Sequence, residues 1–101
     1  NAAARGTQLY EGILKLQKKY DVIGDVRGGQ GLMTGVEIVS DRASKTPMDM
    51  PTMKRIHQAT YEAGAMVRLG MHNVLMSPPL VITEAEVDRI ISALDAGLAA
   101  I

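Results

Sequence analysis

The 101-residue sequence has no cysteine, no tryptophan and no phenylalanine; its aromatics are Tyr10, Tyr20 and Tyr61. Without cysteine there is no disulfide, no thiolate metal site and no thiol nucleophile. Three tyrosines are too few for a base-stacking platform. An excess of one charge is missing too, since 11 basic and 11 acidic residues leave a formal net charge of zero. Nucleic acid or an anionic membrane surface would favour a basic face, so neither is expected as a partner. No apolar run approaches the ~20 residues that span a bilayer. The opening NAAARGTQLYEG also lacks the apolar core of a secretion signal. What is present, 47% hydrophobic and 22% charged residues, suits one soluble domain with a single core. A reducing cytoplasm is compatible with this composition and is the expected location. The chain opens at Asn1 without methionine and enters a helical pattern almost at once. It therefore reads as a piece of a longer polypeptide, with an independent domain as the alternative.

Hydrophobic spacing predicts the order helix, two strands, loop, helix, two strands, helix. Leu9, Ile13, Leu16 and Tyr20 recur at helical intervals, and Lys15, Lys18 and Lys19 gather near that helix's C-terminal end, where cations favour the dipole. An extended stretch, DVIGDVRGG, follows from Asp21, and residues 32–39 form a second strand. Gly28, Gly29 and Gly31 make the tight connection, giving an antiparallel hairpin expected at the centre of the sheet. The polar segment Ser40 to Pro51 reads as a surface loop. A helix follows, with Pro51 in its first turn and Met53, Ile56, Thr60 and Ala63 on one face, ended by Gly64. Short strands are expected at about 65–69 and 73–77, stopped by Pro78 and Pro79. Thr83 and Glu86 form a capping box for a last helix bearing Val87, Ile90, Ile91, Leu94, Leu98 and Ile101. Three amphipathic helices on one face of a small antiparallel sheet make an α+β domain of order α-β-β-α-β-β-α.

Most candidate chemical sites fail on spacing. The cluster GGQGLMTG has Leu32 and Met33 where a phosphate loop needs Lys and then Ser or Thr, and Thr34 stands at the third glycine of a dinucleotide motif. His57, expected on a helix surface, and His72, expected in a turn, have no carboxylate pair nearby to complete a metal site. Asp41, Arg42 and Asp49 lie in a solvated loop. No arrangement of serine, histidine and aspartate suggests hydrolysis. Seven methionines are explained by a core lacking larger aromatics.

Arg68 stands apart, because its neighbours Ala65, Met66, Val67 and Leu69 are apolar. Alternation puts Met66, Arg68 and Gly70 on one face and Val67 and Leu69 on the other. An unpaired buried guanidinium is costly, so this face is either wet or met by a carboxylate. The planar fork of arginine suits a carboxylate through two parallel charge-assisted bonds, each contributing ~1.5–3 kcal/mol net. On spacing alone, an exposed strand arginine and a substrate-recognition arginine both remain open.

Four blocks bear on that choice: NAAARGTQLYEGI, GDVRGGQGLMTGVEIV, EAGAMVRLGMHNVLMSPPLVIT and EAEVDRIISALDAGL. In this order and spacing they cover nearly the whole chain. The chain resembles the C-terminal portion of class III aminotransferases, with PPLVIT before an acidic helix start the most specific signal. The resemblance implies that residues 1–101 form the C-terminal small domain of a fold-type I enzyme dependent on pyridoxal phosphate. Such enzymes are typically homodimers with active sites at the subunit interface. Acetylornithine- and ornithine-type relatives commonly carry an arginine three residues before the double proline, where this chain has Leu75. The pyruvate-dependent ω-aminotransferase branch carries one ten residues before the first proline, and Arg68 occupies that position. The resemblance therefore implies that Arg68 binds the substrate carboxylate and swings aside for amines without one, Gly70 and the following turn permitting the movement.

The implied reaction is reversible transfer of an amino group between an amine or ω-amino acid and a keto acid such as pyruvate. None of Lys15, Lys18, Lys19, Lys45 or Lys54 lies in the family's cofactor-lysine motif, so no catalytic, cofactor-binding or metal-ligating residue is expected in this chain. It is expected to be inert by itself, the cofactor being held mainly by a large domain outside it. The alternatives are a non-catalytic α+β module that binds a small acid through Arg68, or a dimerisation module.

Overall fold

In the computed structural model, which describes residues 2–28, 31, 33–65, 67–70, 73–76, 78 and 81–101, the elements follow the expected order with one addition. They are α1 (Ala2–Lys19), β1 (Ile23–Arg27), β2 (Thr34–Asp41), β3 (Thr46–Pro47), α2 (Met50–Glu62), β4 (Arg68–Leu69), β5 (Asn73–Met76) and α3 (Glu84–Ala99). The readings that involve Gly29, Leu32, Met66, His72 and Pro79 lie outside the described residues.

Each helix forms where apolar periodicity meets a local terminator. Helix α1 buries Leu9, Ile13 and Leu16. Tyr20, just past its end, is half-buried and donates its hydroxyl to the Asp95 carboxylate and to the Asp95 carbonyl. Lys19 adds an ion pair to Asp95 at 3.1 Å. The Tyr20 hydrogen bond first, then that of Lys19, holds the Asp95 carboxyl below the usual range. Helix α2 is capped by Asp49, whose carboxylate accepts the Thr52 amide at 2.9 Å. That bond, with help from the Thr52 hydroxyl, holds Asp49 below its ordinary pKa. Met53, Ile56 and Thr60 face inward as expected, but Ala63 is the exposed C-cap residue. Gly64 then takes φ +112°, a region that a side chain disfavours.

Helix α3 opens on the expected capping box. The Glu86 amide donates to Thr83 Oγ1 at 3.2 Å, and the Thr83 amide donates to Glu86 Oε1 at 3.0 Å. Val87, Leu94 and Leu98 are buried and Ile90 and Ile91 partly so. Ile101 lies beyond the helix and is 42% exposed, because the last turn has already left the core. Helices α2 and α3 approach closely at Gly97: a Cβ there would lie 2.0 Å from Thr60 Oγ1 and 2.9 Å from the Ile56 carbonyl oxygen. The buried Thr60 hydroxyl is satisfied by donating to that carbonyl at 2.7 Å.

The sheet is antiparallel throughout, in the order β1-β2-β5-β4, and β3 pairs separately with the end of β2. The hairpin is therefore not the sheet's centre: β1 is an edge, and β2 and β5 occupy the middle. Strand β2 also runs further than expected, into the polar segment. The Asp41 carboxylate accepts the Ala43 amide at 3.1 Å and the Ser44 hydroxyl at 3.0 Å, and Lys45 turns the chain back at φ 57°. Both β3 residues are exposed, so no buried alternation marked that strand in the sequence. Ile23, Val26, Val36, Ile38, Val67, Val74 and Met76 join the helix residues in one core. The helices lie on that side of the sheet, and the residues in between point the other way.

Candidate functional site

The uncovered face of the sheet forms an open cleft of about 410 Å³. Its floor is two rows fixed by strand register. Arg27 pairs with Gly35, Gly35 with Leu75, and Leu75 with Arg68. Paired residues share a face, so this row runs across four strands with an arginine at each end. The second row is Asp25, Glu37 and Asn73. Gly24 lies at a register shift in β1, which sets Asp25 opposite Glu37.

The two arginines differ in their surroundings. Arg27 Nε is 3.2 Å from Asp25 Oδ2, an ion pair between two exposed side chains that contributes little to stability. Arg68 is exposed at the other end and makes no hydrogen bond or ion pair among the described residues. The expected alternation holds: Val67 is buried and Leu69 packs against the core, while Arg68 faces the cleft. Between the arginines the floor is low. A Cβ on Gly35 would meet only Leu75 Cδ2, at 3.4 Å, so the missing side chain leaves room over the sheet without being demanded by packing beneath it. Thr34, also lining the cleft, is 3% exposed, and its hydroxyl finds no partner among the described residues.

The cleft thus brings Arg68 together with residues the sequence reading did not select: Arg27, Asp25, Glu37 and Asn73. The alternation of GDVRGG around the buried Val26 already put Asp25 and Arg27 on one face; their meeting with Arg68 depends on pairing across the sheet. His57 also departs from expectation. It is half-buried, not a plain helix-surface residue, and its Nε2 lies 2.9 Å from the Val67 carbonyl oxygen. Among the described residues no group of three or more His, Asp or Glu is placed to hold a metal ion, and no helix is long and apolar enough to cross a membrane.

Three helices backing an antiparallel sheet, whose free face carries an arginine without a partner among the described residues, define the same class of α+β unit that occurs in transaminases. The family model for Aminotransferase class-III matches residues 1–98, and the chain belongs to that family. It is 42% identical over 98 residues to alanine–glyoxylate aminotransferase 2 homolog 2 of Arabidopsis thaliana, covering 94% of this chain and 20% of the relative. It is 35% identical over 102 residues to the taurine–pyruvate aminotransferase of Bilophila wadsworthia, covering 94% of this chain and 22% of the relative. An amine transaminase from an uncultivated Pseudomonas species, solved with PLP bound, superposes with a TM-score of 0.91 at 38% identity, covering 97% of this chain and 22% of that one. The chain therefore spans about a fifth of the length of the relatives it matches.

The cofactor implied by the family does not fit the donors present here. No lysine lines the cleft. Lys15, Lys18 and Lys19 lie on α1, Lys54 on α2 and Lys45 in the β2–β3 turn. A pyridoxal phosphate site needs a lysine and a partner for the ring nitrogen, and the described residues lining the cleft supply no such set.

Proposed function

We propose that this chain is the small domain of a class III aminotransferase and that its open face presents Arg68 to the carboxylate of a keto acid such as pyruvate. The observation that carries the reading is a guanidinium, unpaired among the described residues, at one end of a cleft that has space above Gly35. A carboxylate there accepts two parallel bonds from the fork, which fixes both the position and the rotation of the acid. Leu75 keeps the adjacent floor apolar, giving the carbon end of the acid a surface that needs no hydrogen bonds. The exposed side chain of Arg68 can turn outward without unpacking Val67 or Leu69, so an amine lacking a carboxylate is accommodated by motion of the side chain alone.

In the full-length protein the reaction is transfer of an amino group between an amine or ω-amino acid and the keto acid. Pyridoxal phosphate, held by polypeptide beyond these residues, supplies the electron sink. The chain's own residues bind and orient the acid. The active enzyme is a homodimer in the cytoplasm, and the 101-residue chain alone is inert. The half-buried Glu37, without a hydrogen-bond or ion-pair partner among the described residues, supports a face completed by further polypeptide.

In the full-length protein, Arg68→Ala is expected to lower kcat/KM for pyruvate by about 10- to 100-fold, the two charge-assisted bonds being discounted for the exposure of the side chain. Activity between a carboxylate-free amine and an aldehyde is expected to change by less than about twofold. Equal losses for both pairs would refute the assignment. The alternative, a small-acid-binding module without chemistry, predicts that the full-length coding sequence lacks a lysine-bearing cofactor domain.

A further inference from the structure

We infer that His57 is a positioning residue for Arg68: it holds, from the helical side of the sheet, the peptide from which the guanidinium projects. The inference deepens the reading of Arg68 as a carboxylate receptor and rests on it.

The argument begins with how little holds β4. The strand has two residues, Arg68 and Leu69, and one ladder partner, β5. An edge strand this short has few interstrand bonds, so its orientation depends on what flanks it. On the far side, the Gly70 amide donates to the Asn73 carbonyl at 2.8 Å and closes the turn. On the near side, the Val67 carbonyl meets His57 Nε2 at 2.9 Å. Among the described residues this is the one side-chain hydrogen bond to the 67–70 backbone.

The anchor at its other end is firm. Residues on both sides of His57, Ile56 and Thr60 included, are buried between α2 and α3, and Gly97 lets the two helices close up. The Val67 carbonyl belongs to the peptide that leads into Arg68. Rotating that peptide plane swings the Cα–Cβ direction of Arg68, and a long side chain amplifies the error at the guanidinium. Because the partner is a carbonyl oxygen, Nε2 must carry the proton.

The test uses the full-length protein loaded with pyridoxal phosphate. It compares pyruvate with an aldehyde as acceptor in His57→Leu, His57→Gln, Arg68→Ala and the His57→Leu/Arg68→Ala double variant. His57→Leu is expected to raise KM for pyruvate ~3–10-fold, the worth of one neutral hydrogen bond, with kcat and the aldehyde reaction little changed. His57→Gln, whose amide can donate to the same carbonyl, is expected to restore most of the loss. In the Arg68→Ala background, His57→Leu is expected to have no further effect on pyruvate. Hydrogen exchange in residues 67–70 is expected to quicken in His57→Leu and not in His57→Gln. Where the leucine variant does not fold, His57→Glu, similar in size to Gln but an acceptor, replaces it in the comparison.

Equal losses for pyruvate and aldehyde, an unchanged pyruvate KM, or full additivity with Arg68→Ala would each overturn the inference. Arg68→Ala alone decides the underlying reading: if it spares pyruvate, the carboxylate role fails and the positioning role with it. If it discriminates while His57→Leu does not, only the positioning role fails.

Discussion

The helical side of the molecule spends its polar groups on itself, and the open side of the sheet, beyond its Arg27–Asp25 pair, leaves several unspent among the described residues. Between the helices, the Thr60 hydroxyl is answered by the Ile56 carbonyl, Asp95 gathers Tyr20 and Lys19, and Thr83 and Glu86 satisfy each other. Across the sheet, Arg68 and Glu37 lie in one cleft without hydrogen-bond or ion-pair partners among the described residues, and Met33 is 74% exposed. Among the described residues, buried side-chain polar groups other than the Thr34 hydroxyl are satisfied locally, because an unanswered one costs stability. Groups kept for recognition have to stay unsatisfied until their partner arrives. The contrast supports the proposed reading of the open side as the binding face.

The contrast breaks most visibly if the two sides respond alike to substitution. The largest effect is expected at the helix crossing. Gly97→Val drives a side chain into Thr60 Oγ1 and the Ile56 carbonyl, and should destabilise the chain by about 1–3 kcal/mol in urea unfolding. A shift below the resolution of that measurement would show that the helices separate freely.

A smaller effect, sharpened by pH, is expected at the Asp95 cluster. The folded-state carboxyl is held low by Tyr20 and then Lys19, so its stabilisation is present above the ordinary carboxylate pKa. It is lost as pH falls through the lower folded value. Asp95→Asn keeps an acceptor for Tyr20 but cannot titrate. Its deficit against the parent should be clear at about pH 7 and should shrink toward about pH 2. A deficit that stays constant across this range would contradict the linkage. The smallest effect belongs to the open face. Glu37→Gln should shift stability by no more than about 0.5 kcal/mol, because among the described residues no folded-state partner is lost. A loss as large as that of Gly97→Val would mean the open side is also structural.

How much of this was legible in the sequence follows the range of the interaction involved. The helices were readable because their periods and caps are local: Leu9 with Ile13 and Leu16, Thr83 with Glu86. The two faces of β4 were readable from the alternation of Val67, Arg68 and Leu69. Strand order was not, since nothing local says that β5 inserts beside β2 and leaves β1 at an edge. Strand β3 has no buried residue and so no pattern. His57 looked like an ordinary helix position because its contact is with a backbone carbonyl, and such an acceptor leaves no mark on the sequence. The cleft was half visible, with Arg68 singled out and the facing row of Asp25, Glu37 and Asn73 assembled only by pairing across strands.

Strand β4, two residues at the rim of the sheet, has a consequence for how such a protein can change over generations. Its outward side chain contributes nothing to the interior, so replacing Arg68 barely taxes folding. On the proposed role of Arg68, natural variation at that point is free to explore new ligand preferences while the scaffold stays intact, and a laboratory redesign could begin there without first raising thermal tolerance.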